Sequence, residues 1–271
     1  MKKNIVLSLT VIFLVSFVFS GCSAQNIIND KDSGEIEVGE KEYAYYDGIY
    51  QTYSSYYGAD GYFRAMKLKV EDGKICEINY DLLNDNGECF SEVESDEAEI
   101  FKSEIKSMNS KTMQNQTADG LFDNSEYSED YRLLLEICLK NAEENNTQPS
   151  PIDISFTYNE SLVDIKENEA HLTVSYLGSK ISLINYYVTS SGGLKLDDYI
   201  EEEKYFSDTM SYKAIIGYLT KIPDEGENLK KEDPSDRSLS VVTDYNILCG
   251  IIEEKHRRVD DGNINQLFSS L

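Results

Sequence analysis

Apolar and polar residues alternate one by one along two neighbouring stretches of the chain. Met66, Leu68 and Val70 are separated by Lys67 and Lys69, and Cys76, Ile78 and Tyr80 by Glu77 and Asn79. A repeat of two marks a β-strand with one face buried and one wet. It predicts strands over residues 62–70 and 74–83, with a shorter one over 47–53. Glu71-Asp72-Gly73-Lys74 supplies the hairpin between the longer two, because Asp-Gly tolerates the positive φ of a tight turn. Asn84-Asp85-Asn86-Gly87 then breaks the chain, and the period changes. Residues 95–108 read as a weakly apolar helix. Residues 128–142 read as a stronger one, with Tyr131, Leu134, Leu135 and Cys138 on one side and Glu129 and Asp130 in the first turn.

The whole arrangement occurs twice. Displacing the sequence against itself by 106 positions lays Asp47 on Asp153, Ser55 on Ser161, Lys74 on Lys180, Ile75 on Ile181, Ile78 on Ile184, Asn79 on Asn185, Tyr80 on Tyr186 and Gly87 on Gly193. Composition alone gives roughly two or three coincidences over such a length. Tyr50 with Phe156, Met66 with Leu172 and Leu68 with Val174 keep their chemical type. The displacement then grows to 114, where Asp119 meets Asp233, Asp130 meets Asp244, Tyr131 meets Tyr245 and Leu134 meets Leu248. Strands are therefore expected over 153–158, 170–177 and 180–188, and helices over 197–219 and 243–254. The extra residues fall in the charged loop 222–231. The fold class is α+β, as two tandem copies of a small antiparallel sheet packed with helices on one side. Residues 44–146 form the first copy and 147–271 a divergent second one, joined through a linker at 145–151. The tail after Arg257 is expected to be peripheral.

The leader changes the picture. Lys2 and Lys3 precede an apolar run over 5–19 that is short for a membrane span, and Phe19-Ser20-Gly21-Cys22 follows. This resembles a bacterial lipobox, with residues 1–21 as signal peptide and Cys22 as the lipid attachment site. The usual Leu is replaced by Phe19. Two or three acyl chains, palmitate among them, hold a protein stably on a bilayer. Residues 22–43 are polar and acidic, a flexible tether with a reach of roughly 25 Å. The implied location is the extracytoplasmic face of a bacterial membrane, with the lipid bilayer as partner through acylated Cys22. A formal charge of -25 argues against nucleic acid as a partner.

Four further cysteines, Cys76, Cys89, Cys138 and Cys249, are not duplicated between the copies. Cys138 and Cys249 fall on apolar helix faces as small core residues. Cys76 and Cys89 could pair after export, and spacing leaves that open. His171 and His256 are likewise unduplicated, and His256 follows a charged run at a helix end, where imidazolium is a favourable cap. There is no GxSxG, HExxH or glycine-rich phosphate loop, so no catalytic residue and no metal site is assigned.

Asp47-Gly48-Ile49-Tyr50, Leu68-Lys69-Val70-Glu71-Asp72-Gly73-Lys74-Ile75 and Glu77-Ile78-Asn79-Tyr80-Asp81 together resemble the FMN-binding domain of surface lipoproteins. That domain is shared with flavin-carrying subunits of the Rnf and sodium-pumping NADH:quinone oxidoreductase complexes. The likeness covers most of residues 44–143 and, more faintly, 150–256. It implies FMN esterified to the hydroxyl closing a D-x-x-[ST]-G-A-[ST] segment ahead of a helix, where unpaired amides favour a phosphate. Here the segment is Asp119-Gly120-Leu121-Phe122-Asp123-Asn124-Ser125. Asp119 and Ser125 are kept as candidate cofactor-binding residues, while Asp123 and Asn124 stand in place of Gly-Ala. The second copy, Asp233-Pro234-Ser235-Asp236-Arg237-Ser238-Leu239, ends on Leu. Tyr43, Tyr45, Tyr46, Tyr53, Tyr56, Tyr57 and Tyr62 read either as an aromatic cradle for a flavin or as an ordinary amphipathic sheet surface. Two functions follow as expectations. One is a lipid-anchored electron carrier with a membrane redox partner; the other is a non-enzymatic surface binding or structural module that has lost its flavin.

Overall fold

The structure, a computed structural model, describes residues 45–118, 125–163, 167–190, 192–193, 212–224, 229–232 and 240–271. In the first copy, strands β1 (Gly48–Ser54), β2 (Phe63–Glu71) and β3 (Lys74–Leu83) run antiparallel to one another. Asp72 (φ 51°) and Gly73 (φ 68°) form the tight turn, and the Asp47 carboxylate accepts from the Gly73 amide at 2.9 Å. Helices α1 (Asp96–Asn115) and α2 (Ser128–Glu143) cover one face. Ser95 caps α1 by accepting from the Ala98 amide at 3.1 Å, and three acids follow in its first turn. At the other end Gln116 turns left-handed (φ 58°), and its side-chain amide pairs with both the N–H and the C=O of Ile75, at 2.7 and 3.1 Å. That pair of hydrogen bonds fastens the end of α1, which runs seven residues past its predicted end, to β3.

The second copy has β5 (Ser155–Val163), β6 (Glu169–Leu177) and β7 (Lys180–Thr189) in a three-stranded antiparallel sheet. Helices α3 (Tyr212–Leu219) and α4 (Ser240–Lys255) pack on it. The bounds of β6 and β7 stand 106 residues beyond those of β2 and β3. Both ladders slip at the same place, between Lys69 and Val70 and between Ser175 and Tyr176. The fold is α+β, with two sheets and their helices. The first strands depart from simple displacement. Tyr50 lies opposite Leu68 but Tyr158 lies opposite Val174, so the counterpart of Tyr50 in space is Tyr158, two residues beyond Phe156. Both tyrosines are fully buried, and burial of that ring sets the register more strongly than the aligned letters.

Two expectations are corrected. The linker contributes its own strand, β4 (Ser150–Ile152), which pairs parallel with β1 and extends the first sheet to β3-β2-β1-β4. The tail is not peripheral. Val259, Ile264, Leu267 and Phe268, on and around the short helix α5 (Ile264–Leu267), are buried with Tyr53, Tyr57, Phe63, Ala65, Leu83 and Cys89. Phe63 and Ala65 alternate with Met66 and Leu68 along the first sheet, so the tail covers the face opposite α1 and α2. At the same positions the second sheet has Glu169 and His171, which need no cover.

Residues 41–271 form one compact unit, and the copies share a core in which both helix stripes are buried. Tyr131, Leu134, Leu135 and Cys138 from α2 and Tyr245, Leu248, Cys249 and Ile252 from α4 are all fully enclosed. No helix among the described residues is long and apolar enough to cross a membrane.

Candidate functional site

Cys22 and Asp119 lie outside the described residues; Ser125 lies within them, just ahead of α2. Its hydroxyl donates to the Glu104 carboxylate of α1 at 2.5 Å and accepts from the Tyr127 amide at 3.2 Å. Its carbonyl accepts from Ser128 Oγ at 2.7 Å. Ser125 thus ties the start of α2 to α1. A phosphate esterified to this hydroxyl would have the Glu104 carboxylate as its neighbour, which opposes the attachment. Two unit charges 4 Å apart at such a surface repel by about 4 kcal/mol.

The strand alternation that buries Met66 and Leu68 also turns Arg64 inward. Its Nε donates to Asp130 in the first turn of α2 at 3.1 Å, and Nη1 donates to both Asp60 oxygens at 3.0 and 2.9 Å and to the Tyr62 carbonyl at 3.1 Å. Burial opposes the guanidinium's charge, but Asp60, Tyr80 and Asp130 outweigh it and its pKa is raised. Burial raises the Asp130 carboxyl, against the pull of Arg64. Tyr80 sits beside this cluster, with its ring against Phe101 and Tyr131. Its phenol is pushed well above the ordinary range by burial, and its hydroxyl has no hydrogen-bond partner. Leaving a buried hydroxyl unpaired costs about 1–3 kcal/mol.

In the second copy Ala170 replaces Arg64, and Tyr186, the counterpart of Tyr80, donates to the Val241 carbonyl at 2.9 Å. The first copy therefore carries polar groups that the same fold manages without. Beside Tyr80, between β3 and α1, runs a groove of about 510 Å³ whose lining includes Phe101, Lys102, Ile105, Lys106 and Met113. Arg64 and Glu104 were not singled out by sequence motifs, and Tyr80 stood out only as part of the repeat and of the family resemblance. The signal available for Arg64 was a charge at an inward-facing strand position, opposite alanine in the repeat.

The clustered tyrosines do not form one cradle. Tyr43 lies outside the described residues, Tyr45 donates to the Gln116 carbonyl, and Tyr46 is exposed. Tyr53 and Tyr57 pack with the tail, and Tyr62 stands edge-on to Phe90. Tyr56 stacks on His256 at 4.4 Å, with Tyr176 on the other face at 3.8 Å. Nδ1 of His256 lies 2.9 Å from the Tyr158 hydroxyl, which donates to the Tyr57 carbonyl at 2.5 Å. The ring is thus held by stacking on both faces and by one hydrogen bond at Nδ1. His256 is consequently a neutral ring clamped between the copies, not a charged helix cap; burial pulls it down to about 4. Cys76 and Cys89 are both free thiols, the first exposed and the second buried under the tail at Ser270.

No family model and no curated protein matches the chain. Among solved structures it is similar to the CPE2226 protein from Clostridium perfringens, a structural-genomics target. The identity is 24%, the TM-score 0.36, and the match covers 41% of this chain and 98% of that one.

Proposed function

We propose that this protein is a lipid-anchored, extracytoplasmic binding module on a duplicated FMN-binding-like fold, with no covalent flavin and no catalytic activity of its own. The observation that carries this reading is the Ser125–Glu104 hydrogen bond. The hydroxyl that the family resemblance assigns to flavin already serves as a structural tie, and its partner is an anion. Asp123 and Asn124, in place of the Gly-Ala that brings backbone close to a phosphate, act in the same direction. Cys22 behind a short apolar leader supports the membrane attachment, and residues 22–43 support a folded part held clear of the headgroups.

Detergent-phase partitioning tests the anchor, and the colour of the purified protein tests the loss of flavin. Wild-type protein is expected in the detergent phase and colourless, and Cys22→Ala in the aqueous phase. A yellow protein whose chromophore survives denaturation would return it to the electron carriers.

A further inference from the structure

We propose that the outer face of the second sheet, the side of β5, β6 and β7 turned away from the core, binds a neutral oligosaccharide that carries acetamido groups, an N-acetylhexosamine chain. This deepens the binding-module reading above and rests on it. The two copies cover this face differently. In the first copy Gln51, Lys67 and Asn79 stand abreast across the strands, and Ile49, Lys69 and Glu77 form the next row. Lysine and glutamate are the ordinary covering of a wet surface. In the second copy the same rows read Asn159, Thr173, Asn185 and Thr157, Ser175, Leu183. Each charge has given way to a hydroxyl or an aliphatic group, in a chain of net charge -25. The row above, Ser161, His171 and Tyr187, holds no acid, lysine or arginine either. Glu169, 3.6 Å from His171 Nε2, and Lys180 mark the two ends of the face, and none of the positions between them is buried. Three rows on three strands make a platform of about 10 by 14 Å.

Two independent observations point to a sugar rather than to a bare solvated sheet. One is the state of the polar groups. Thr157 Oγ1 and Ser175 Oγ lie 2.8 Å apart, and Thr173 Oγ1 donates to Asn159 Oδ1 at 2.8 Å. These cross-strand bonds hold the side chains in place and leave the Asn159 NH2 pointing to no partner among the described residues. Asn185, on β7, is exposed and offers both halves of its amide, with the exposed Leu183 two residues before it. An acetamido group needs that set: a donor for its carbonyl, an acceptor for its N–H and an apolar contact for its methyl. The other observation is the ring pair. His171 and Tyr187 stack with centroids 4.6 Å apart and planes 19° apart. Rings stacked across neighbouring strands stand up from the sheet, and Ser161, on the other side of His171, is too short to cover its outer face. A pyranose laid over Ser161 sets its C–H groups against that ring and its substituents over the row below. The net charge of the chain opposes an acidic polysaccharide and leaves a neutral one unhindered.

The full chain carrying Cys22→Ala, which removes only the lipid attachment, tests the assignment in calorimetric titration with the β-linked tetrasaccharide of N-acetylglucosamine. Saturable binding at one site is expected. His171→Ala should weaken it about tenfold. Thr173→Lys, which brings the first copy's residue into the second, should abolish it, while Lys67→Thr on the first sheet should bind as the parent does. Both of these positions lie on the wet side of a sheet, so the unfolding midpoints should match that of the parent and a loss of binding would be local. Absence of saturable heat, or Thr173→Lys binding like the parent, would overturn the proposal. So would self-association of the chain that Thr173→Lys abolishes, with no sugar bound, since the face would then belong to a second copy. A yellow protein would sink the binding-module reading instead, and that result is read from colour, apart from any sugar titration.

Discussion

Cys76 and Ser182 occupy the same place in the two sheets. Each is the extra residue of a β-bulge, and each turns its side chain back to a carbonyl of the neighbouring strand. Cys76 Sγ lies 3.4 Å from the Lys69 oxygen, and Ser182 Oγ lies 3.2 Å from that of Ser175. The bulge thus demands a short donor, and thiol and hydroxyl serve alike. Cys76→Ser should change stability by less than about 0.5 kcal/mol, within the range of surface substitutions, as denaturant unfolding would show. In a chain with Cys22 replaced, Cys76 should be the thiol that a disulfide reagent labels in the native state. Cys89, Cys138 and Cys249 should react only on unfolding, since burial holds each thiol up at about 12.

Gly58 marks where the copies meet. A β-carbon there would come within 2.8 Å of Arg64 and Asp60 and 3.0 Å of Phe156, and Arg64 lies over the Phe156 ring at 4.9 Å. Gly58→Ala should cost about 1–3 kcal/mol through overpacking, measured by denaturant unfolding. An unchanged midpoint would mean that the two copies do not touch here.

The tail is a structural strap. Tyr53 donates to Asp261 at 2.7 Å, Val259 donates to the Ser55 carbonyl at 2.9 Å, and Asn79 reaches the Leu271 carbonyl at 3.0 Å. Phe268→Ala should destabilise the protein by about 2–4 kcal/mol, as large-to-small changes in a core do. It should also expose the tail to proteolysis under conditions where wild type is resistant. A tail cut equally fast in both would contradict the buried cluster.

His256 sets a pH dependence. Burial lowers its pKa to about 4, the Gly178 backbone acting in the opposite sense, against about 6.5 in an unfolded chain. Between those values the unfolded chain binds a proton that the folded one excludes. The contribution to stability is therefore complete above about pH 6.5, declines as pH falls towards 4, and is lost below that. The ring is partly accessible, so the effect is about 1–2 kcal/mol rather than the full value of the shift. His256→Phe keeps an aromatic ring between Tyr56 and Tyr176 and removes the titration. The stability of wild type relative to this variant should fall between pH 7 and 4.5; a constant difference in urea unfolding would contradict the buried neutral imidazole.

Much of this architecture was legible in the alternation of side chains, and the reason is local. The hairpin strands, Asp72-Gly73 and the stripe from Tyr131 to Cys138 each carry their own periodicity, so β2, β3 and α2 emerge within a residue or two of expectation. What the pattern missed depended on distant partners. The tail has too few apolar residues to declare itself, and its docking face becomes visible only when Phe63 and Ala65 are set against Glu169 and His171. The end of α1 is fastened where Gln116 meets Ile75, forty-one residues earlier in sequence. At the candidate site, Ser125 was found through a motif, whereas Glu104, which decides what Ser125 can do, lies on another helix. Asp119 and Cys22 fall outside the described residues.

The most direct test of the central claim is the intact mass of the exported protein produced together with a flavin-transferring enzyme. The account predicts the mass of the lipidated chain alone, unchanged by Ser125→Ala. A mass increased by one FMN group, and restored by that substitution, would contradict it.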